Sequence, residues 1–163
     1  MAFPDKKHEK LLDLVHEFCD KLDWHAPHPL EREPAYTHRV LQPQFETFVM
    51  SIKEPGLTLR ADGDHRPTPV SFDRHDFYPD LGINYFQERV ISFECKFISR
   101  GHLNSPLSMS IGQATTYCSL GYLSGVILLV SKSGEQVISN EVLTSINNFL
   151  EPTSLKVFEI KSY

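Results

Sequence analysis

Residues 90–98 read Val-Ile-Ser-Phe-Glu-Cys-Lys-Phe-Ile. Such a β-branched and aromatic run predicts a strand buried in a sheet, yet it carries two charges, Glu94 and Lys96. Side chains alternate along a strand, so Glu94 and Lys96 share one face and Cys95 points to the other. A carboxylate and an ammonium on a half-buried face are costly unless they pair or perform chemistry. Left at that, the pair reads as a structural salt bridge on a soluble α/β domain.

Working outward, residues 77–85 form a second predicted strand, joined to 89–98 by a turn near 86–88. Downstream, 107–120 suits a helix ending at Gly121, and 124–131 is a buried strand rich in Val, Ile and Leu. A helix over 140–150, capped by Ser139 or Asn140, precedes a last strand over 155–160. Upstream, residues 6–22 place Leu11, Leu12, Leu14, Val15, Phe18, Cys19 and Leu22 at helical spacing between acids, an amphipathic helix. Residues 24–43, with four prolines and three histidines, read as an irregular connector, and 45–52 as a strand ended by Glu54-Pro-Gly. Short strands are expected over 57–60 and 69–72, with turn chemistry from Ala61 to Pro67 between them. The expected fold is a single α/β domain over 1–163, a mixed central sheet with helices on its faces.

Composition limits the function classes. The chain has 163 residues, 16 basic and 21 acidic, for a formal charge of −5, which argues against coating nucleic acid by bulk charge. No apolar run approaches the roughly 18 residues of a membrane span, and the first residues show no secretory leader. Cys19, Cys95 and Cys118 are odd in number and far apart, which suits a reducing, cytoplasmic setting and no disulfide framework. His25 and His28 are the one close histidine pair, but Pro27 between them, Pro29 after them and the want of a second pair make a polar loop the better reading than zinc.

Asp80 lies 14 residues before Glu94, an interval that fits a strand, a turn and a returning strand. Two carboxylates brought together on adjacent strands repel, and a divalent cation relieves that repulsion. Oxygen ligands without Cys or His suit Mg²⁺ or Mn²⁺. Lys96 would then stand beside the cation, able to orient or deprotonate a water or to stabilise charge on a phosphate.

Pro79-Asp80 followed by Glu94-Cys95-Lys96 resembles the signature of the PD-(D/E)XK nuclease superfamily. The predicted order of a helix, a three-stranded meander, a helix and a further strand is similar to its restriction-endonuclease-like core. Gln113 and Tyr117, four apart on one face of the next helix, resemble the extra Gln-x-x-x-Tyr motif of the RecB-like branch. The resemblance covers about residues 77–130. It implies that Asp80, Glu94 and the backbone carbonyl of Cys95 bind Mg²⁺, for which Mn²⁺ can substitute. It further implies that Lys96 positions the attacking hydroxide, and that Gln113 and Tyr117 contact the substrate backbone or order the site. Many relatives add a glutamate from the first helix. Of Glu9, Glu17 and Glu46, Glu17 lies nearest the edge of the apolar stripe and is the expected one.

The function so implied is a Mg²⁺-dependent deoxyribonuclease, an endonuclease of restriction or defence, resolvase or homing type. It would act on DNA as a homodimer or as a subunit of a larger nuclease complex. The competing reading is a non-catalytic nucleic-acid or protein interaction module on the same fold. Of the remaining candidates, Arg60, Arg66, Arg74, Arg89 and Arg100 form no stripe in sequence but are free to converge in space. His75 and His102 flank the motif, and Trp24 and Tyr122 are candidates for stacking a base, with core packing the plainer role.

Overall fold

A computed structural model describes residues 3–22, 25–61 and 69–160. It contains a five-stranded mixed sheet with helices on both faces, the α/β class expected from the sequence. Helix α1 (Asp5–Lys21) buries the stripe Leu11, Val15 and Cys19. Strand β1 (Leu57–Arg60) is the edge of the sheet, followed across it by β4 (Leu81–Tyr85), β5 (Glu88–Ile98), β6 (Ser124–Ser131) and β7 (Leu155–Ile160). The β1–β4 and β4–β5 pairs are antiparallel, and β5–β6 and β6–β7 are parallel. Parallel neighbours need crossovers. These are α4 (Asn104–Ser119) between β5 and β6, and α5 (Asn140–Leu150) between β6 and β7.

Period-two alternation divides the core. Phe93, Cys95, Val126, Leu128, Val130, Phe158 and Ile160 pack with α1 and the second helical segment, while Ile98, Ile127, Leu129, Leu155 and Val157 pack under α4 and α5. Helix α5 starts as expected, with the Ser139 hydroxyl accepting from the Val142 N–H at 3.3 Å. Helix α4 closes at Gly121, whose φ of +148° belongs to glycine, as Tyr122 N–H returns to the Tyr117 carbonyl.

Two expectations are corrected. Residues 24–43 are not an irregular connector throughout. Helix α2 (Glu33–Tyr36) runs through a π-helical turn, Thr37–Leu41, into α3 (Gln42–Ile52). The residues read as a strand over 45–52 are therefore helical. Phe45, Phe48, Val49 and Ile52 recur at helical spacing, and Phe45 and Val49 are buried. Both prolines sit in the first turn of a helix, where a missing N–H costs nothing. In the π turn Gln42 N–H reaches back five residues to Thr37, which makes room upstream of the Pro43 ring.

A third difference is smaller. The stretch 77–85 is broken, because Tyr78-Pro79-Asp80 separates β3 (His75–Phe77) from β4. Among the described residues, strand β3 pairs only with β2 (Val70–Phe72), across a turn with Asp73 and Arg74 at positive φ. The turn expected after Ala61, Arg66 and Trp24 lie outside the described residues.

Candidate active site at the overhang of β5

The last rung of the β4–β5 ladder joins Leu81 to Phe93, with Asp80 N–H donating to the Phe93 carbonyl at 3.0 Å. Strand β5 continues to Ile98 with no neighbouring strand on that edge among the described residues, because β6 lies on the other. Buried N–H groups need acceptors. Two carboxylates supply them: Asp80 Oδ2 accepts from the Cys95 N–H at 2.7 Å, and Glu33 Oε2 from the Phe97 N–H at 2.7 Å. A strand residue turns its N–H and C=O to the same edge, so the Cys95 carbonyl also faces this overhang.

The alternation expected for 94–96 is observed. Cys95 is 1% exposed and belongs to the α1 and α3 side of the core, whereas Glu94 and Lys96 project toward α4. Glu94 is 2% exposed and accepts from Lys96 Nζ at 2.6 Å. Its other oxygen lies 3.4 Å from the Tyr117 hydroxyl on α4, which donates to the Tyr78 carbonyl at 2.9 Å. Tyr117 thus ties α4 to both the Glu94 carboxyl and the segment that delivers Asp80.

Burial, then the charge of Asp80, push the Glu94 carboxyl up to about 7, with Lys96 and Tyr117 offsetting part of that. For Lys96, burial works toward a lower value but is outweighed by Glu94, Asp80 and Glu33, so the ammonium is held above its ordinary range. The cluster accordingly has more negative charge than one ammonium neutralises. The donors facing the overhang are carboxylate and carbonyl oxygens. The one thiol nearby, Cys95, points away and is pushed well up by burial. This donor set fits a hard dication and not zinc. Among the described residues, no three His, Cys, Asp and Glu side chains come together as a cage, so such a cation would rely on Asp80, Glu94 and main-chain oxygen.

Asp80, Glu94, Lys96 and Tyr117 are therefore brought together. Gln113 lines a pocket next to them with Phe77, Met109, Thr116 and Tyr117, but its Oε1 is shut away from solvent and accepts no hydrogen bond. Glu17 is not brought in. It is exposed on α1 and paired with Lys21 one turn on. Glu9 and Glu46 are exposed too, with Glu46 accepting from Gln42. The glutamate that does reach the overhang is Glu33, hidden from sequence reasoning inside the supposed connector. Its signal was Glu33-Pro34, an acid and a proline in a first helical turn.

Arg89 donates to the Leu120 carbonyl at the end of α4, and Arg100 pairs with exposed Glu135 at 3.5 Å. Tyr122 is buried against Tyr117, the packing role. His75 is exposed on β3, while His102 lines a cleft shared with Lys96. No helix among the described residues is long and apolar enough to cross a membrane. Comparison with protein families, curated proteins and solved structures finds no match for the chain.

Proposed function

We propose that this chain is a metal-dependent nuclease that hydrolyses DNA phosphodiester bonds, built on a restriction-endonuclease-like sheet. The observation that carries the reading is the meeting of Asp80, Glu94 and Lys96 at the β5 overhang, two groups from β5 and one from the bend just ahead of β4, with Asp80 14 residues before Glu94. Asp80, Glu94 and the Cys95 carbonyl are the groups that would hold Mg²⁺ or Mn²⁺, and the cation, when bound, supplies charge neutralisation at the non-bridging phosphate oxygens.

The chain's own groups divide the rest of the work. Lys96, held in its charged form, serves as a fixed positive neighbour that orients the attacking water and stabilises charge growing on the phosphate, rather than as a base. The water oxygen forms the new P–O bond as the ester P–O bond opposite breaks; the water gives up one proton to bulk solvent and the departing oxygen takes one from it. Tyr117 fixes the Glu94 carboxyl through its contact and through Tyr78. Deoxyribonuclease action inside a reducing cell, as a homodimer or as one subunit of a larger nuclease, completes the proposal. By analogy of fold alone, the reading extends to endonucleases of the restriction or defence, resolvase or homing kind.

The test is Asp80→Asn. An amide oxygen can still accept the Cys95 N–H, so the melting temperature is expected to be similar or higher, while Mg²⁺-dependent cleavage is lost. Equal cleavage by wild type and variant rejects the assignment. Calorimetric Mg²⁺ or Mn²⁺ binding without cleavage of any DNA form would favour the non-catalytic module.

A further inference from the structure

A cleft of about 480 Å³ opens beside Lys96, between the start of α2, the end of β5 and the start of α4. Three cations, Arg32, Lys96 and Lys132, and His102 line it, against one carboxylate, Glu33, among the described residues. Glu33 is already engaged with the Phe97 N–H, and Lys96 with Glu94. Arg32 and Lys132 have no carboxylate partner among the described residues, and Lys132 Nζ stands 5.8 Å from the centre of the Phe97 ring. In a chain of net charge −5 this is a local reversal of sign, and it adjoins the candidate catalytic lysine. The α4 N-terminus adds to it without carrying it. No acid lies in its first turn and no side chain caps it, so its positive end faces the cleft unopposed.

From this charge pattern we infer that the cleft is the track for the phosphodiester backbone of the nucleic acid on one side of the scissile phosphate, with Arg32 and Lys132 as its phosphate contacts. The inference rests on the nuclease reading above and adds to it the route by which the strand reaches Lys96. Opposite charge suits a polyanion. The walls of Pro34, Phe97, Pro106 and Met109 leave an apolar floor along which sugars can lie while phosphates meet the rim. An acidic peptide shares the charge but not that alternation of sugar and phosphate.

The experiment measures binding of a short fluorescent single-stranded DNA, and of its duplex, to the full chain carrying Asp80→Asn, as a function of salt. Arg32→Gln with Lys132→Gln is compared with Lys6→Gln with Lys10→Gln, an equal charge change on exposed positions of α1. Losing two phosphate contacts should flatten the slope of log K against log salt by about 1.4 for a single strand. That corresponds to about twenty-five-fold weaker binding at 0.1 M salt. The α1 pair should change affinity by less than about threefold, since it removes bulk charge alone. Unchanged melting curves confirm that both pairs fold.

Equal weakening by the two pairs, or none by the cleft pair, overturns the inference, as does tighter binding of a polyglutamate peptide than of DNA. The two readings fail separately. Wild type that cleaves, with an unchanged KM in the cleft pair, rejects the track and keeps the nuclease. A chain that never cleaves but loses DNA binding in the cleft pair keeps the track and rejects the nuclease.

Discussion

Glu94 and Cys95 are neighbours on β5 and almost equally buried, at 2% and 1% exposed, yet they belong to different chemistries. On the Cys95 side the sheet meets α1 and α3 through hydrocarbon and aromatic rings, with Phe45 against Phe93 at 4.7 Å between ring centres. On the Glu94 side α4 presents a tyrosine hydroxyl and a glutamine amide. Burial alone therefore does not distinguish core from site. What distinguishes them is whether the covering helix brings polar partners, and whether the strand has a neighbour to satisfy its edge.

The contrast breaks most readily at Glu94. Glu94→Gln is expected to lower cleavage on the order of a thousandfold, because an amide keeps the shape but not the charge. The melting temperature should hold or rise, and an activity assay alongside a thermal melt checks both. A variant that unfolds instead would make Glu94 part of the core. On the opposite face Phe93→Ala should cost about 3–5 kcal/mol in urea denaturation, while the molecules still folded keep their cleavage rate. Lost activity in folded Phe93→Ala would show the two faces to be coupled.

Two buried titratable groups sharpen the comparison through pH. His16, on α1, is pushed down to about 4 by burial and by the charge of Lys156. The unfolded chain binds a proton there that the native state refuses, so this contribution is complete above pH 6.5 and lost as pH falls toward 4. It is worth on the order of 2 kcal/mol once solvent screening of the partly exposed ring is discounted. Glu94 runs the other way. Its raised carboxyl holds a proton in the native state between pH 4.5 and about 7, so without divalent cations its contribution is present below 4.5 and lost as pH rises through 7. Denaturation midpoints against pH, for His16→Leu and for Glu94→Gln, should each lose one limb of the profile. The smallest effect is expected at Gln113. Gln113→Met removes a buried, unpartnered oxygen and should add about 1 kcal/mol of stability, at a cost in cleavage if the amide serves the site. A destabilised Gln113→Met would mean that the amide is structural.

The regular core was legible because its signals are local. The β-branched runs at 124–131 and 155–160 and the Ser139 cap needed no tertiary information to be read. Residues 45–52 misled because Phe, Thr, Val and Ile favour strands by composition, while the spacing of Phe45, Phe48, Val49 and Ile52 is helical. Packing against Phe18 and Phe93 decides it. The three residues of the candidate site were legible from strand alternation and interval. Glu33 was not, because its place depends on a helix that crosses a π turn and on an N–H at Phe97 left open by a strand that ends elsewhere.

That open edge has a consequence for self-association. A strand overhanging its neighbour offers spare N–H and C=O groups to any extended segment of another molecule. Here Asp80 and Glu33 occupy both N–H groups with charged oxygens, which repel an incoming backbone carbonyl and leave it no N–H to accept from. The same carboxylates that define the candidate site thus close the overhang of β5 to a further strand, while the outer edges of the sheet lie at β1 and β7.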